Sequence, residues 1–107
     1  MTDGIKETWS RFTLMEQLGN IASEVGRAAK WHGKDERRFE HSVGQALDLI
    51  DLTQRDPRWQ GGRLHELAIA KEAFADAVLG GREYGSTLPD MERYFMQFAL
   101  AARRNVS

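Results

Sequence analysis

The chain predicts an all-α protein, specifically an antiparallel up-down-up-down four-helix bundle, and three observations lead there. Apolar residues recur every three or four positions in four separate stretches, the period of a helix with one buried face. The links between these stretches are short and rich in breakers, which makes successive helices antiparallel neighbours. No segment alternates with period two for long enough to form a strand.

The first helix is expected over residues 13–32. Leu14, Leu18, Ile21, Val25, Ala28 and His32 form its inner stripe, and a second stripe of small residues, Gly19, Ala22, Gly26 and Ala29, runs beside it. Ser10 or Thr13 is placed to cap it, and Thr13 with Glu16 has capping-box spacing. Gly33 stops it, with Lys30 and Lys34 near the negative end of its dipole. Asp35 then caps a second helix over residues 36–54, with Phe39, Val43, Ala46, Ile50 and Thr53 inward and Leu47 alongside. Leu49 and Leu52 fall outside that stripe. Asp56-Pro57 ends the helix, because the residue before proline is pushed out of the helical region.

Residues 56–62 form the strongest breaker in the chain. A third helix is expected over residues 63–79, with Leu64, Leu67, Ala68, Phe74, Ala75 and Val78 inward, closed by Gly80-Gly81. Ser86 or Thr87 caps the fourth, with Pro89 in its first turn, where a missing N–H costs nothing. Its main stripe is Leu88, Met91, Phe95, Phe98 and Ala102, and Met96 and Leu100 make a second apolar face.

At 107 residues the chain reads as one domain over 1–107, with residues 1–9 a flexible polar N-terminal segment. A hydrophobic fraction of 41% suffices for one core. At this size the surface-to-volume ratio is unfavourable, so association with a partner would help. A formal charge of -1 argues against general nucleic-acid binding, which needs a basic excess to neutralise phosphates. Zero cysteines remove disulfide and thiolate chemistry. The start of the sequence shows no basic stretch followed by an apolar run, and no apolar run approaches the roughly 18 residues of a membrane span. The expectation is a cytoplasmic chain with no membrane partner.

Several segments are similar to those of a poorly characterised family of small bacterial helical-bundle proteins of about this length. They are Ser10-Arg11-Phe12, Glu16-Gln17-Leu18-Gly19-Asn20-Ile21 with Ser23-Glu24-Val25, and residues 46–53. Asp56-Pro57-Arg58-Trp59, Glu83-Tyr84-Gly85-Ser86-Thr87 and the pair Tyr94-Phe95 complete the set, which spans nearly the whole chain. The resemblance implies a helical fold and carries almost no biochemistry.

Four constellations bear on function. Lys71 falls in the middle of the third helix's expected inner stripe, where an isolated charge is costly. If the loops act as simple reflections, it lies within about a turn of Glu24, which predicts an inward polar cluster of Lys71, Glu24 and Gln17 serving as an ion pair or a ligand site. The glycine-bracketed loop around Tyr84 leads into a helix N-terminus that can accept an anion; the competing reading is a turn whose tyrosine packs over the bundle end.

The third constellation concerns a metal. All-α nucleoside triphosphate pyrophosphohydrolases of the MazG type gather four carboxylates around Mg²⁺ from two helices. Here Glu24, Asp48 and Asp51 stand at comparable positions, but Arg27 and Gln45 replace two of the four, and Asp48 points away from the inner stripe. The fourth is a HEPN-like ribonuclease or nucleotidyltransferase partner, for which the spacings Arg27 to His32 and Arg58 to His65 are uninformative in an arginine-rich chain. His32, His41 and His65 lie on separate segments with no i,i+4 pair, so histidine metal binding gains no support.

The favoured reading is an interaction module without catalysis or cofactor, forming a homodimer or docking on a protein partner through surplus apolar surface at Met15, Leu49, Leu52, Met96 and Leu100. The alternative is a Mg-dependent nucleotide-binding bundle using Glu24, Asp48 and Asp51.

Overall fold

A computed structural model describes residues 9–104, so most of the segment read as flexible lies outside the described residues. The chain is an all-α helical bundle, with no strand among the described residues. Helix α1 spans Leu14–Trp31, α2 Glu36–Gln54, α3 Gly61–Val78 and α4 Leu88–Arg104. Residues 9–11 are helical as well.

The expected start signals act where the sequence puts them. Thr13 Oγ1 accepts from the Glu16 amide at 3.1 Å, while the Glu16 carboxylate accepts from the Thr13 amide at 2.8 Å, a complete capping box. Asp35 accepts from the Arg38 amide at 3.1 Å and opens α2. At α4 the same reciprocity joins Thr87 and Asp90, at 3.0 and 3.2 Å. Gly33, with a φ of 74°, turns the chain between α1 and α2, and the Arg38 guanidinium stacks over Trp31 at 4.5 Å across that turn.

Helix α1 packs most extensively on α4 and next on α2, so its face is the spine of the core. Leu18, Ile21, Val25 and Ala28 are fully buried along it. Phe74 of α3 and Phe95 of α4 are the largest fully buried side chains. Gln17 meets Asp56 beyond the end of α2, while His32 stacks on Phe39 near its start, so α1 and α2 run in opposite directions. Gly26 of α1 leaves room for the tip of the Glu92 side chain of α4: a Cβ there would sit 2.5 Å from a Glu92 carboxylate oxygen. Part of the small-residue stripe therefore serves a neighbouring helix of the same chain.

Four expectations are corrected. Helix α3 is rotated from its expected face, with Leu67, Ala70, Phe74 and Ala77 buried and Ala75 exposed. Alanine and leucine occur on most sides of this helix, so spacing does not define one stripe, and Lys71 moves to the half-buried edge. Helix α3 also begins two residues early, at Gly61, because backbone hydrogen bonding continues past the last patterned side chain. His32 is exposed at the end of α1 instead of lying on the inner stripe. Trp9, counted with the flexible segment, is buried at 5% exposure.

Two glycine substitutions test the backbone in opposite directions. Gly44 is exposed within α2, with open space where a Cβ would go, so Gly44→Ala is expected to gain about 1 kcal/mol from helix propensity. Gly81 has a φ of 73°, and a Cβ would lie 2.8 Å from the Ser86 carbonyl oxygen, so Gly81→Ala is expected to lose about 1–3 kcal/mol. Urea midpoints moving the same way for both would contradict this account.

Candidate functional site

The densest polar construction is buried at the end of the bundle where α1 begins and α2 ends. Gln17 is completely buried on α1, one position before the core residue Leu18. Its amide nitrogen donates to the Trp9 carbonyl and to Asp56 Oδ2, both at 2.9 Å, and its amide oxygen accepts from Trp59 Nε1 at 3.1 Å. Trp9 Nε1 donates to Thr53 Oγ1 at 3.0 Å, and that hydroxyl donates to the Leu49 carbonyl at 2.9 Å. The Trp59 ring meets Phe98 of α4 edge-on at 5.7 Å.

Asp56 collects the donors. Arg58 approaches it with its backbone amide at 3.0 Å, with Nε at 3.0 Å and with Nη2 at 2.6 Å, and Nη2 also donates to the Phe12 carbonyl at 2.7 Å. Burial alone would raise a carboxyl pKa. Here the Arg58 side chain, then its backbone amide and the Gln17 amide, outweigh burial and lower Asp56 from 3.8 to about 2. Reciprocally, Asp56 raises the pKa of Arg58. No buried side-chain polar atom lacks a partner among the described residues. With every buried side-chain group matched, this cluster acts as a structural tie.

The expected cluster of Gln17, Glu24 and Lys71 is not assembled. Gln17 faces Asp56 and the two indoles, Glu24 pairs with Arg27 one turn along its own helix, and no hydrogen bond or ion pair joins Lys71 to either among the described residues. The cause is the rotation of α3 together with the diagonal placement of α3 relative to α1, whose main neighbours are α4 and α2.

The alternative metal set fares similarly. Asp48 is exposed, Asp51 pairs with Arg55 at 3.1 Å, and no group of three or more His, Cys, Asp or Glu converges among the described residues. Of the two arginine–histidine spacings, Arg27 is engaged by Glu24 and Arg58 by Asp56, while His32 and His65 are exposed.

Tyr84 is 47% exposed, and its hydroxyl donates to Glu72 at 2.9 Å; that carboxylate holds the phenol above its usual pKa. The Asp76 carboxylate accepts from the amides of Glu83 and Tyr84 at 3.1 and 2.9 Å and fixes the loop. A cleft of about 370 Å³ opens beside it, lined by Ala29, His32, Gly81, Ser86 and Leu88 among others. No charged group points into it as a ligand anchor. Sequence reasoning missed Trp9, Asp56 and Trp59 as partners of Gln17. The available signal was a tryptophan inside a loop otherwise made of breakers.

A second concavity lies on the outer side of the α1–α4 pair, with a volume of about 270 Å³. Met15, Gly19 and Ser23 of α1 and Met96, Ala99 and Leu100 of α4 line it. Met96 and Leu100 are each 48% exposed. The polar groups nearby are turned back on their own helix: Asn20 Nδ2 donates to the Glu16 carbonyl at 2.8 Å, and Ser23 Oγ to the Gly19 carbonyl at 3.1 Å. No helix among the described residues is long and apolar enough to cross a membrane.

Comparison with protein-family models, with curated proteins and with solved structures yields no match.

The Asp56 tie sets an acid dependence. Because its folded pKa lies below the unfolded value of 3.8, its contribution is complete above about pH 5 and is lost as pH falls through about 2, a span worth about 2 kcal/mol. Urea unfolding across that range should show a larger loss in the parent than in Asp56→Asn, which starts less stable at neutral pH and keeps only the smaller acid dependence of groups such as Asp90. Gln17→Leu strands the Trp59 indole and takes one donor from Asp56 Oδ2, which keeps Arg58, with an expected cost of about 1–3 kcal/mol. A Gln17→Leu variant as stable as the parent would contradict the structural role.

Proposed function

We propose that this chain is a protein-interaction module that docks on a protein partner through the α1–α4 face, with no catalytic chemistry of its own. The supporting observation is the pairing of Met96 and Leu100, half exposed on successive turns of α4, with the groove beside them. Apolar side chains scattered singly over a surface need no explanation, and Ile69 and Leu79 are of that kind. Contiguous apolar surface next to a concavity is different, since it marks contact surfaces on small domains. Desolvating this face is also inexpensive. Asn20 and Ser23 already donate to carbonyls of α1, and the Glu16 carboxylate is held in the capping box. A partner covering the groove therefore strands few donors.

Flexible methionine at both walls, Met15 and Met96, suits a contact surface that must fit an apolar protrusion. A photo-crosslinking amino acid placed at position 96 in cells that produce the chain tests the proposal. A discrete product of higher mass is expected at position 96 and none at the exposed position 45 of α2. Equal labelling at both positions, or none at 96, overturns the reading.

A further inference from the structure

We infer that the segment seated on the α1–α4 face is a basic amphipathic helix of a partner protein, apolar along one side and bringing an arginine or lysine to Glu92. The inference rests on the interaction reading above and adds the chemistry of the occupant.

Helical spacing extends the groove past the residues that line its deepest part. Gly26 follows Gly19 by two turns of α1 and Glu92 precedes Met96 by one turn of α4, so each continues its own wall. The two walls meet there: a Cβ on Gly26 would sit 2.5 Å from one Glu92 carboxylate oxygen and 3.4 Å from the other. The missing side chain leaves a notch at the seam of the helices, and the carboxylate lies in it, half-buried. No hydrogen bond or ion pair engages Glu92 among the described residues, and the cations near it are held elsewhere. Arg93 pairs with Asp90, Arg27 pairs with Glu24, and Lys30 lies over Trp31.

A carboxylate in that position restricts what can cover it. A partner that buries Glu92 without supplying a cation strips water from a charge, which is costly. A cation brought to it acts across a partly desolvated seam, where screening is weaker than on an open surface. The charged residue lining the groove itself is also acidic: Glu16, with one oxygen engaged by the Thr13 amide. Acidic surfaces, nucleic acid and anionic lipid among them, are therefore repelled.

The walls set the shape of the occupant. Both are helices, whose backbone groups are bonded internally, so they present no ladder to an extended strand; a helix brings its own hydrogen bonds. Between the two carboxylates Met15, Met96 and Leu100 supply the apolar surface, and methionine adapts to the side chains laid on it. Glu16 and Gly26 stand about 15 Å apart along α1, nearly three turns of such a helix.

Fluorescence anisotropy of the full-length chain with three labelled helical peptides tests the inference. The peptides share one leucine stripe and carry arginine, glutamine or glutamate along its margin. The arginine peptide is expected to bind at least about tenfold tighter than the glutamine peptide, and the glutamate peptide not to bind. That preference is expected to shrink as salt rises from about 0.05 M to about 0.5 M. Glu92→Gln is expected to reduce it at least about fivefold, whereas Asp48→Asn, which removes an exposed carboxylate of α2, leaves it unchanged. Leu100→Ser weakens the arginine and glutamine peptides alike.

Equal affinity for the arginine and glutamine peptides overturns the inference, as does a preference that Asp48→Asn reduces as much as Glu92→Gln. Should Glu92→Gln fold poorly, the parent's salt series decides, and a preference indifferent to salt overturns the inference. A crosslinked product at position 96 with the mass of two chains identifies a second copy as the occupant and removes the basic helix. A product of another mass, with no preference for the arginine peptide, leaves the interaction reading standing and removes the inference. Absence of both removes the two together.

Discussion

Everything else in this bundle is arranged around one buried amide. Gln17 spends both N–H groups and its oxygen on two separate segments, the stretch at Trp9 and the connection that carries Asp56 and Trp59, and each residue it meets is itself buried. An uncompensated amide in that position would cost several times the net gain of an ordinary hydrogen bond. The surrounding chain is therefore constrained to deliver Asp56, Trp59 and the Trp9 carbonyl together or not at all. Hydrophobic burial specifies that α1 packs between α2 and α4. The amide specifies the height at which it does so, because a slip of one turn would remove all three partners at once.

This explains how the α2–α3 connection can be both irregular and ordered. Asp56, Pro57, Arg58 and Trp59 form no repeating structure, yet Asp56 and Trp59 are buried. The Arg58 fork converts a buried carboxylate, by itself a liability, into the anchor of the loop. Ladders of backbone bonds hold the helices. Side chains hold the turn.

How much of this the sequence displayed depends on what each element buries. Helices α1 and α4 have apolar residues on one dominant stripe, and their expected faces agree with those buried except at His32. The cap at Asp35, and those narrowed to Ser10 or Thr13 and to Ser86 or Thr87, are readable in the sequence because a capping contact is local. Helix α3 misled because alanine surrounds it, and small residues are tolerated on either side of the boundary between core and solvent. The expected cluster of Gln17, Glu24 and Lys71 assumed that α3 lies beside α1. That assumption concerns a tertiary neighbour, which periodicity within single helices does not encode. Gln17 was recognised as a polar residue facing inward, but its partners stand 39 and 42 positions away. The apolar residues Met96 and Leu100 were readable as surplus because they break the α4 stripe, and their exposure accords with that.

The two ends of the bundle differ in kind, and this has a consequence for its breathing motions. At one end Trp9, Gln17, Thr53, Asp56 and Trp59 interlock, so opening any one segment exposes the buried donors of the others. At the other, the link at Gly33 and the loop around Tyr84 rest on exposed caps such as Asp76, each of which lets go singly. Amide protons near the interlocked end exchange with solvent only through concerted opening of α1 with α2, whereas those near Gly81 and Tyr84 exchange through small local openings. The molecule frays from one side, and the cooperative unit that resists global unfolding begins at its first tryptophan.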